Sequence, residues 1–257
     1  MKAQVLLPKV FNFPFTYYSK KECKIGDLVE VPFGSKKEIG VIWKNYHLEP
    51  KNLKIKDIKK ITGYSINNRL IDFIEWFSFY NLVPMGLVLK MVIGGTDKFI
   101  RINDELIQIN QTKIKNFKLN YEQSEALKFL EKTNNKFEVS VLQGTTGSGK
   151  TLVYFERIKK IIEKNNQALV LLPEIFLTND FKSRFEDFFG FEPAIWHSKI
   201  TPKKKRIIWK GIINNKIKIL VGARSALLLP FKKLGIIIVD EEHDSSYKQD
   251  EGVIYNA

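Results

Sequence analysis

The sequence predicts an α/β protein in which a parallel-sheet lobe is preceded by a small, mainly β domain with helices. Short apolar runs separated by turn signals fill the chain up to about residue 65. From residue 139, apolar runs alternate with helical patterns, and this alternation is typical of a parallel sheet covered on both faces. A glycine-rich loop stands between the first such run and the first such helix.

The first part of the chain contains several strand candidates. Val5–Leu7, Leu28–Val31 and Ile39–Trp43 are apolar or alternating runs, and turn signals stand at Gly26-Asp27 and Pro32-Phe33-Gly34. Many short strands at this spacing predict a small β-barrel.

Helical periodicity begins after these strands. Apolar residues recur at helical intervals over residues 68–82, with Asn67 or Asn68 as the N-cap. Pro84 begins a second short helix, which Gly94-Gly95 ends.

A polar stretch separates the two halves of the chain. Residues 97–116 hold at most one strand. We therefore expect a β-barrel domain with a helical extension over residues 1–98, a linker over 99–116, and a second domain over 117–257.

The second domain shows five apolar runs and three long helical patterns. The strands are predicted at Val139–Leu142, Ala168–Leu172, Ala194–Trp196, Ile217–Val221 and Ile236–Val239. The helices are predicted from the glycine-rich loop to about Glu163, over Asn179–Phe189 and over Pro202–Ile213.

The glycine-rich loop matches all eight positions of the phosphate-binding P-loop pattern and lies between a predicted strand and a predicted helix. Its residues are Gly144, Thr145, Thr146, Gly147, Ser148, Gly149, Lys150 and Thr151. Glycines let backbone N–H groups point at phosphate oxygens, and the helix N-terminus adds partial positive charge. We expect the Lys150 ammonium on the β- and γ-phosphates of ATP and the Thr151 hydroxyl on Mg²⁺.

A carboxylate cluster follows the last predicted strand. Asp240, Glu241 and Glu242 come directly after Ile236–Val239, at the strand end where open α/β sheets place ligands. We expect Asp240 to hold Mg²⁺ and Glu241 to orient and deprotonate the attacking water. Standing alone, the cluster is equally typical of a solvated acidic turn.

Gln123 precedes the P-loop in the chain. Its amide can present a donor and an acceptor to an adenine edge. It fits equally well as a polar residue at the start of a helix that buries Leu127 and Leu130.

The charge and the cysteine content limit the classes of partner. The net charge is +14, and residues 1–110 carry 17 basic and 11 acidic residues, so both halves are basic. A basic surface favours a polyanionic partner, although a coding bias towards Lys, Ile and Asn also accounts for it. Cys23 is the single cysteine, which excludes an internal disulfide and a cysteine-based zinc site.

We expect neither a membrane-spanning segment nor a signal peptide. The sequence contains neither a run of about 18 apolar residues nor the pattern of a signal peptide. We therefore expect a cytoplasmic protein without a membrane partner.

Together these segments resemble superfamily 2 helicases, and within them the replication-restart helicases of the primosome. The resemblance is close over residues 117–257 and looser over residues 1–95. It rests on the P-loop, on Leu171–Thr178, on Gly222–Leu227, and on Pro230–Gly235 running into Asp240–Gln249. Thr145 and Val253 depart from the pattern, which has an apolar residue and a tryptophan there.

The resemblance implies a RecA-like lobe of an ATP-dependent 3′-to-5′ DNA helicase that assembles the primosome at stalled forks. It places Glu174, His197, Ser198 and Arg224 on the face that tracks single-stranded DNA. The segment 245–255 is similar to an aromatic-rich loop that couples DNA binding to ATP hydrolysis. Tyr247 and Tyr255 would stack on bases and Lys248 would meet a phosphate, unless the tyrosines pack against the domain.

The β domain resembles the same family's domain for the 3′ end of DNA. The matching positions are Phe15, Thr16, Gly34 and Lys56, where the aromatic ring would stack on a terminal base and Lys56 would hold a phosphate. Thr16 replaces an aspartate, which puts a preference for a free 3′-hydroxyl in question. A small barrel with core aromatics and a solvated Lys56 also fits these residues.

The resemblance also implies parts that the sequence lacks. We expect a winged-helix domain to be absent, and a second lobe and a cysteine-rich zinc domain to lie beyond Ala257. Because an arginine from the second lobe is worth on the order of 10³–10⁵ in rate, we expect these residues alone to be inactive as a helicase. Expected partners are forked and single-stranded DNA, primosome proteins and single-strand-binding proteins. A non-enzymatic fork-binding fragment and another superfamily 2 translocase are the alternatives.

Overall fold

A computed structural model describes residues 1–44, 55–94, 114–132, 137–145, 147–249 and 252–257. It contains a curled six-stranded sheet, a helical hairpin, and a parallel sheet with helices. The predicted fold class is therefore confirmed. Within these ranges, no helix combines the length and the hydropathy that crossing a membrane requires.

The β domain is built on one mixed sheet. Its strands are β1 (Lys2–Leu6), β2 (Phe15–Tyr18), β3 (Asp27–Phe33), β4 (Lys36–Ile42), β5 (Lys56–Asp57) and β6 (Lys60–Ser65). They lie in the order β5-β2-β1-β4-β3-β6, and the β2–β5 pair is parallel while the others are antiparallel. Val5, Leu7, Val29 and Val31 are fully buried in its core.

Two helices follow this sheet, α1 (Asn68–Tyr80) and α2 (Met85–Ile93). Asn67 is the N-cap of α1, and its side chain accepts a hydrogen bond from the Leu70 amide. Gly94 ends α2 in the left-handed region, with φ 38°, which suits a residue without a Cβ. Both boundaries agree with the sequence pattern; Gly95 lies outside the described residues.

The second domain contains a parallel four-stranded sheet with helices. The strands are β7 (Gln167–Leu171), β8 (Ala194–Trp196), β9 (Ile219–Gly222) and β10 (Leu234–Val239), in the order β10-β7-β9-β8. The helices are α3 (Tyr121–Glu131), α4 (Lys150–Glu163), α5 (Asn179–Phe189) and α6 (Pro202–Ile213). A short antiparallel pair, β11 (Lys248–Gln249) and β12 (Tyr255–Asn256), follows them.

The strand predicted at Val139–Leu142 is wrong for this structure. The segment has no strand geometry, and the Val139 and Val141 side chains are 76% and 88% exposed. An extended segment becomes a strand only by hydrogen bonding to a neighbour, and β10 pairs with β7 alone among the described strands. The run has the composition of a strand, but among the described residues no strand pairs with it.

The helical hairpin and the parallel sheet share one hydrophobic core. Residues of α1 and α2 belong to the same buried cluster as residues of β7, β9 and α6. The Trp209 indole N–H donates to the Val92 carbonyl at 3.1 Å, and the Asn67 amide donates to the Phe231 carbonyl at 2.9 Å. The two parts of the chain therefore pack as one unit, although most of the predicted linker (99–113) lies outside the described residues.

We predict that Trp209→Ala lowers the free energy of unfolding by about 3–5 kcal/mol, the usual cost of truncating a buried tryptophan. Because the indole contacts α2, hydrogen exchange should accelerate in α1 and α2 as well as in β7 and β9. Phe129→Ala is the control, since Phe129 is 59% exposed. Unchanged protection of α1 and α2 in Trp209→Ala would show that the two parts unfold independently.

Candidate functional site

The glycine-rich loop curls in front of α4. Gly147 and Gly149 have φ of 82° and 83°, in the left-handed region that favours glycine. The Ser148 amide donates to the Thr145 carbonyl at 3.2 Å. The Lys150 ammonium donates to the carbonyls of Gly144 at 2.7 Å and Thr145 at 3.3 Å. The lysine therefore lies over the loop, as a phosphate ligand requires; Thr146 lies outside the described residues.

Gln123 contacts this loop from α3. Its Oε1 accepts from the Asn120 amide at 3.0 Å, and its Nε2 donates to the Ser148 carbonyl at 3.1 Å. The first contact belongs to a capping box with Asn120. Gln123 thus both caps α3 and lies against the P-loop, and its acceptor oxygen is already engaged.

Tyr154 joins the P-loop helix to the acidic strand end. It lies one turn after Lys150, and its hydroxyl donates to Asp240 Oδ2 at 2.9 Å. Burial, and next the charge of Asp240, raise the pKa of Tyr154 far above its ordinary value, while a hydrogen bond with Thr151 opposes them. The phenol therefore stays protonated at neutral pH and remains a donor. Thr151 and Asp240 are consequently both neighbours of the Tyr154 hydroxyl.

Glu241 is held in an unusual backbone conformation. Its φ is 52°, in the left-handed region where residues other than glycine are strained and which is enriched at functional sites. Its amide donates to Asp240 Oδ1 at 3.2 Å, and its carbonyl accepts from the Asp244 amide at 2.9 Å. This turn holds the backbone of Asp240 and Glu241, so two carboxylate residues stand at adjacent positions directly after β10.

A second polar group lies at the ends of β7 and β8. Glu174 Oε1 accepts from the Ser198 hydroxyl at 3.0 Å and from its amide at 3.4 Å. Burial alone would raise the pKa of Glu174, but these two hydrogen bonds and the neighbouring His197 and Lys199 lower it. The Glu174 carboxylate is therefore ionised at neutral pH and holds the loop that follows β8.

Arg224 is engaged with the segment after the acidic cluster. Its Nη1 donates to the Ser246 carbonyl at 3.0 Å and also to the Lys248 carbonyl. The guanidinium therefore ties the end of β9 to residues 246–248, while the Lys248 side chain is exposed.

The expectation that Tyr247 and Tyr255 stack on bases is wrong for this arrangement. They are 3% and 4% exposed. The Tyr247 hydroxyl donates to the carbonyls of Asp240 at 2.6 Å and Leu171 at 3.0 Å. The Tyr255 ring packs 5.4 Å from the Phe77 ring. The rings pack against the protein instead of being exposed for stacking, because apolar surface near α1 and β7 covers both of them. They therefore anchor the segment.

In the β domain, three of the four predicted positions lie together. The Phe15 ring is 5.4 Å from the Phe33 ring, and the Lys56 ammonium donates to the Gly34 carbonyl at 3.5 Å. Gly34 has φ 59° and open space where a Cβ would stand. Thr16 points to the opposite face of β2 from Phe15, and Gln4 Nε2 donates to its hydroxyl at 3.3 Å.

Sequence reasoning missed Tyr154, the residue that connects the two halves of the candidate site. The available signal was the polar hydroxyl of Tyr154 at the fifth position of its helix. The neighbouring residues Val153, Phe155 and Ile158 of that helix are apolar and buried. A tyrosine on a buried helical face is usually core, so the pattern alone did not reveal its partner.

Two family models match the chain. The family described as type III restriction enzyme, res subunit, matches residues 116–256. The family described as 3′ DNA-binding domain (3′BD) of PriA matches residues 4–94. Residues 95–115 lie between the two matches, in the polar stretch where the sequence predicts the domain boundary.

Three curated relatives match between 48% and 99% of the chain. The replication restart protein PriA of Rickettsia felis is 39% identical over 263 residues, which is 99% of this chain and 39% of the relative. PriA of Helicobacter pylori J99 is 34% identical over 251 residues, 95% of this chain and 37% of the relative. PriA of Bacillus subtilis is 44% identical over 124 residues, 48% of this chain and 15% of the relative.

The chain belongs to the family that the type III restriction enzyme res subunit model describes, since that model covers more than half of it. More particularly, it is similar to the N-terminal portion of the PriA proteins, and the resemblance to replication-restart helicases is confirmed. The chain spans 39% of the length of the Rickettsia felis relative.

We predict that Tyr247→Phe lowers the free energy of unfolding by about 1–3 kcal/mol, because the partly buried Asp240 carbonyl loses its hydroxyl donor. Tyr255→Phe is the matched control: this tyrosine is equally buried, but its hydroxyl makes no hydrogen bond with the described residues. Urea unfolding measures both. Equal losses in the two variants would contradict the anchoring role of the Tyr247 hydroxyl.

Proposed function

We propose that this chain is the ATP-binding and DNA-binding part of a replication-restart 3′-to-5′ DNA helicase that assembles the primosome at stalled forks. The observation that carries the proposal is the hydrogen bond from Tyr154 to Asp240 at 2.9 Å. It supports a single site formed by the P-loop, which opens α4, and the acidic end of β10.

The donor set of this site fits Mg²⁺–ATP. The P-loop glycines and the Lys150 ammonium, whose present acceptors are two loop carbonyls, suit the phosphates. Thr151 and Asp240 offer the hydroxyl and the carboxylate oxygen that Mg²⁺ takes besides phosphates and water. Bound Mg²⁺ would neutralise phosphate charge during hydrolysis. Glu241, from the neighbouring position, would orient and deprotonate a water.

DNA is the proposed partner of both parts. Glu174, Ser198 and His197 would form the face for single-stranded DNA, while Phe15, Gly34 and Lys56 would receive a 3′ end. The match of residues 4–94 to a 3′ DNA-binding domain supports the second assignment. Primosome and single-strand-binding proteins are proposed partners of the whole protein, and the cytoplasm is its proposed location. Zinc is proposed only for parts outside these residues.

Two alternatives remain to be tested. The match to a type III restriction enzyme subunit favours another superfamily 2 translocase, but the 3′ DNA-binding match favours the restart helicase. A non-enzymatic fork-binding role is favoured by the segment 137–145. This segment leads into the P-loop without joining the sheet and exposes Phe137, Val139 and Val141. A loosely held P-loop would bind nucleotide weakly.

We predict that the chain binds Mg²⁺–ATP and that Lys150→Ala weakens this binding about 10-fold or more, because a hydrogen bond to a charged group contributes about 1.5–3 kcal/mol. A fluorescent ATP analogue titrated with and without single-stranded DNA measures binding, and phosphate release measures turnover. Lys164→Ala, at the exposed end of the same helix, is the matched control. Equal affinity of the Lys150→Ala and wild-type chains would reject the nucleotide site.

We predict that Tyr154→Phe raises the Mg²⁺ concentration needed for nucleotide binding about 10-fold or more, because the lost hydrogen bond is to the charged Asp240 carboxylate and contributes about 1.5–3 kcal/mol. Binding measured in EDTA should not change, because Tyr154 contacts Asp240 and not the loop carbonyls. Tyr121→Phe, in a tyrosine that is 82% exposed, is the control. An equal loss with and without Mg²⁺ would indicate a merely structural role.

A further inference from the structure

Basic residues are concentrated in one continuous stretch of the second domain. Residues 193–239 contain eleven lysines and arginines and no aspartate or glutamate. The parallel sheet divides them between its two edges. Lys216, Lys232 and Lys233 precede β9 and β10 at the amino edge, whereas Lys199 and 203–206 follow β8 at the carboxyl edge.

Three lysines at the carboxyl edge form what we term the carboxyl-edge lysine cluster: Lys199, Lys203 and Lys204. Lys199 lies in the loop between β8 and α6, and the other two lie in the first turn of α6. All three side chains are exposed. Their ammonium groups make no ion pair and no hydrogen bond with the described residues.

The neighbouring contacts hold this loop in place. Glu174 binds the Ser198 hydroxyl and amide, and the Lys205 ammonium donates to the Ser198 carbonyl at 3.2 Å. Lys205 also lies 6.0 Å from the centre of the Trp196 ring. The loop is therefore anchored from both sides while the cluster points to solvent.

The cluster is unfavourable for the stability of α6. The first turn of α6 contains no acidic residue, and cations near a helix N-terminus oppose the helix dipole. By contrast, α3 and α5 each carry an acidic residue in that turn. The adjacent Lys203 and Lys204 also repel each other, whereas Lys199 interacts with the charge of Glu174. A line of phosphates would remove both costs.

We propose that the carboxyl-edge lysine cluster binds the phosphates of single-stranded DNA and extends the DNA face from Glu174 and Ser198 along the start of α6. This inference rests on the proposed function, because it takes DNA as the partner of that edge. It adds three phosphate contacts that neither the motifs nor the family matches assign. A single strand suits the site because the three lysines follow one loop and one helical turn.

The test compares two triple variants of the 257-residue chain that remove the same charge. One carries Lys199→Ala, Lys203→Ala and Lys204→Ala, and the control carries Lys216→Ala, Lys232→Ala and Lys233→Ala, which are exposed at the amino edge. Fluorescence anisotropy with labelled oligothymidylate, at several salt concentrations, measures log Kd against log salt. Each lost phosphate contact lowers the magnitude of this slope by about 0.7 for single strands.

We expect the carboxyl-edge variant to lose about 2 from the magnitude of the slope and the control to change little. Equal losses in both variants would overturn the proposal, since only net charge would then matter, and so would an unchanged slope in the carboxyl-edge variant. Lys204→Ala alone, with an expected loss of about 0.7, serves if the triple variant does not fold. Wild-type chain that binds ATP but not oligothymidylate would refute the DNA partner, whereas failure to bind ATP leaves this comparison intact.

Discussion

The hydrogen bond between Tyr154 and Asp240 is the contact on which the candidate site depends. It crosses from the helix that the P-loop opens to the end of the acidic strand. Parallel β-strands place loops at one edge, but the sheet alone does not determine which side chains meet. A buried phenol that stays protonated supplies a donor at a defined point, and the Asp240 carboxylate turns towards it. Thr151 and Asp240 are thereby positioned around the same hydroxyl.

The backbone of Asp240 is held from the other side by Tyr247, whose hydroxyl reaches both the Asp240 and the Leu171 carbonyls. Arg224 binds the carbonyls that flank Tyr247, and Tyr255 packs on Phe77 of α1. A chain of direct contacts therefore runs from the acidic strand end to the helical hairpin. Tyr247 and Tyr255 of the segment after the carboxylates belong to the core, whereas its Lys248 side chain is exposed.

Much of this could be predicted from sequence because the patterns are local. The bounds of α5, α6 and β8 and the cap at Asn67 follow from periodicity and capping chemistry. The failures concern long-range partners. The run Val139–Leu142 has the composition of a strand, but in the described part of the chain no strand pairs with it. The sequence around Tyr247 suggests a ring that is available for stacking. Only the structure shows that its hydroxyl donates to the Leu171 carbonyl of β7. A local sequence pattern does not identify contact partners that are distant in the chain.

The shared core also decides how the two candidate DNA surfaces relate to the nucleotide site. If the β domain were tethered only by a linker, the Phe15–Lys56 group could adopt many positions relative to the P-loop. Trp209 instead donates to α2, and Asn67 both caps α1 and donates to the Phe231 carbonyl ahead of β10. Asn67 thus joins the start of α1 to the segment just before β10, the strand that Asp240 follows. Displacing the β domain would break hydrogen bonds as well as apolar packing, so the fold itself sets the distance between the Phe15–Lys56 group and the P-loop.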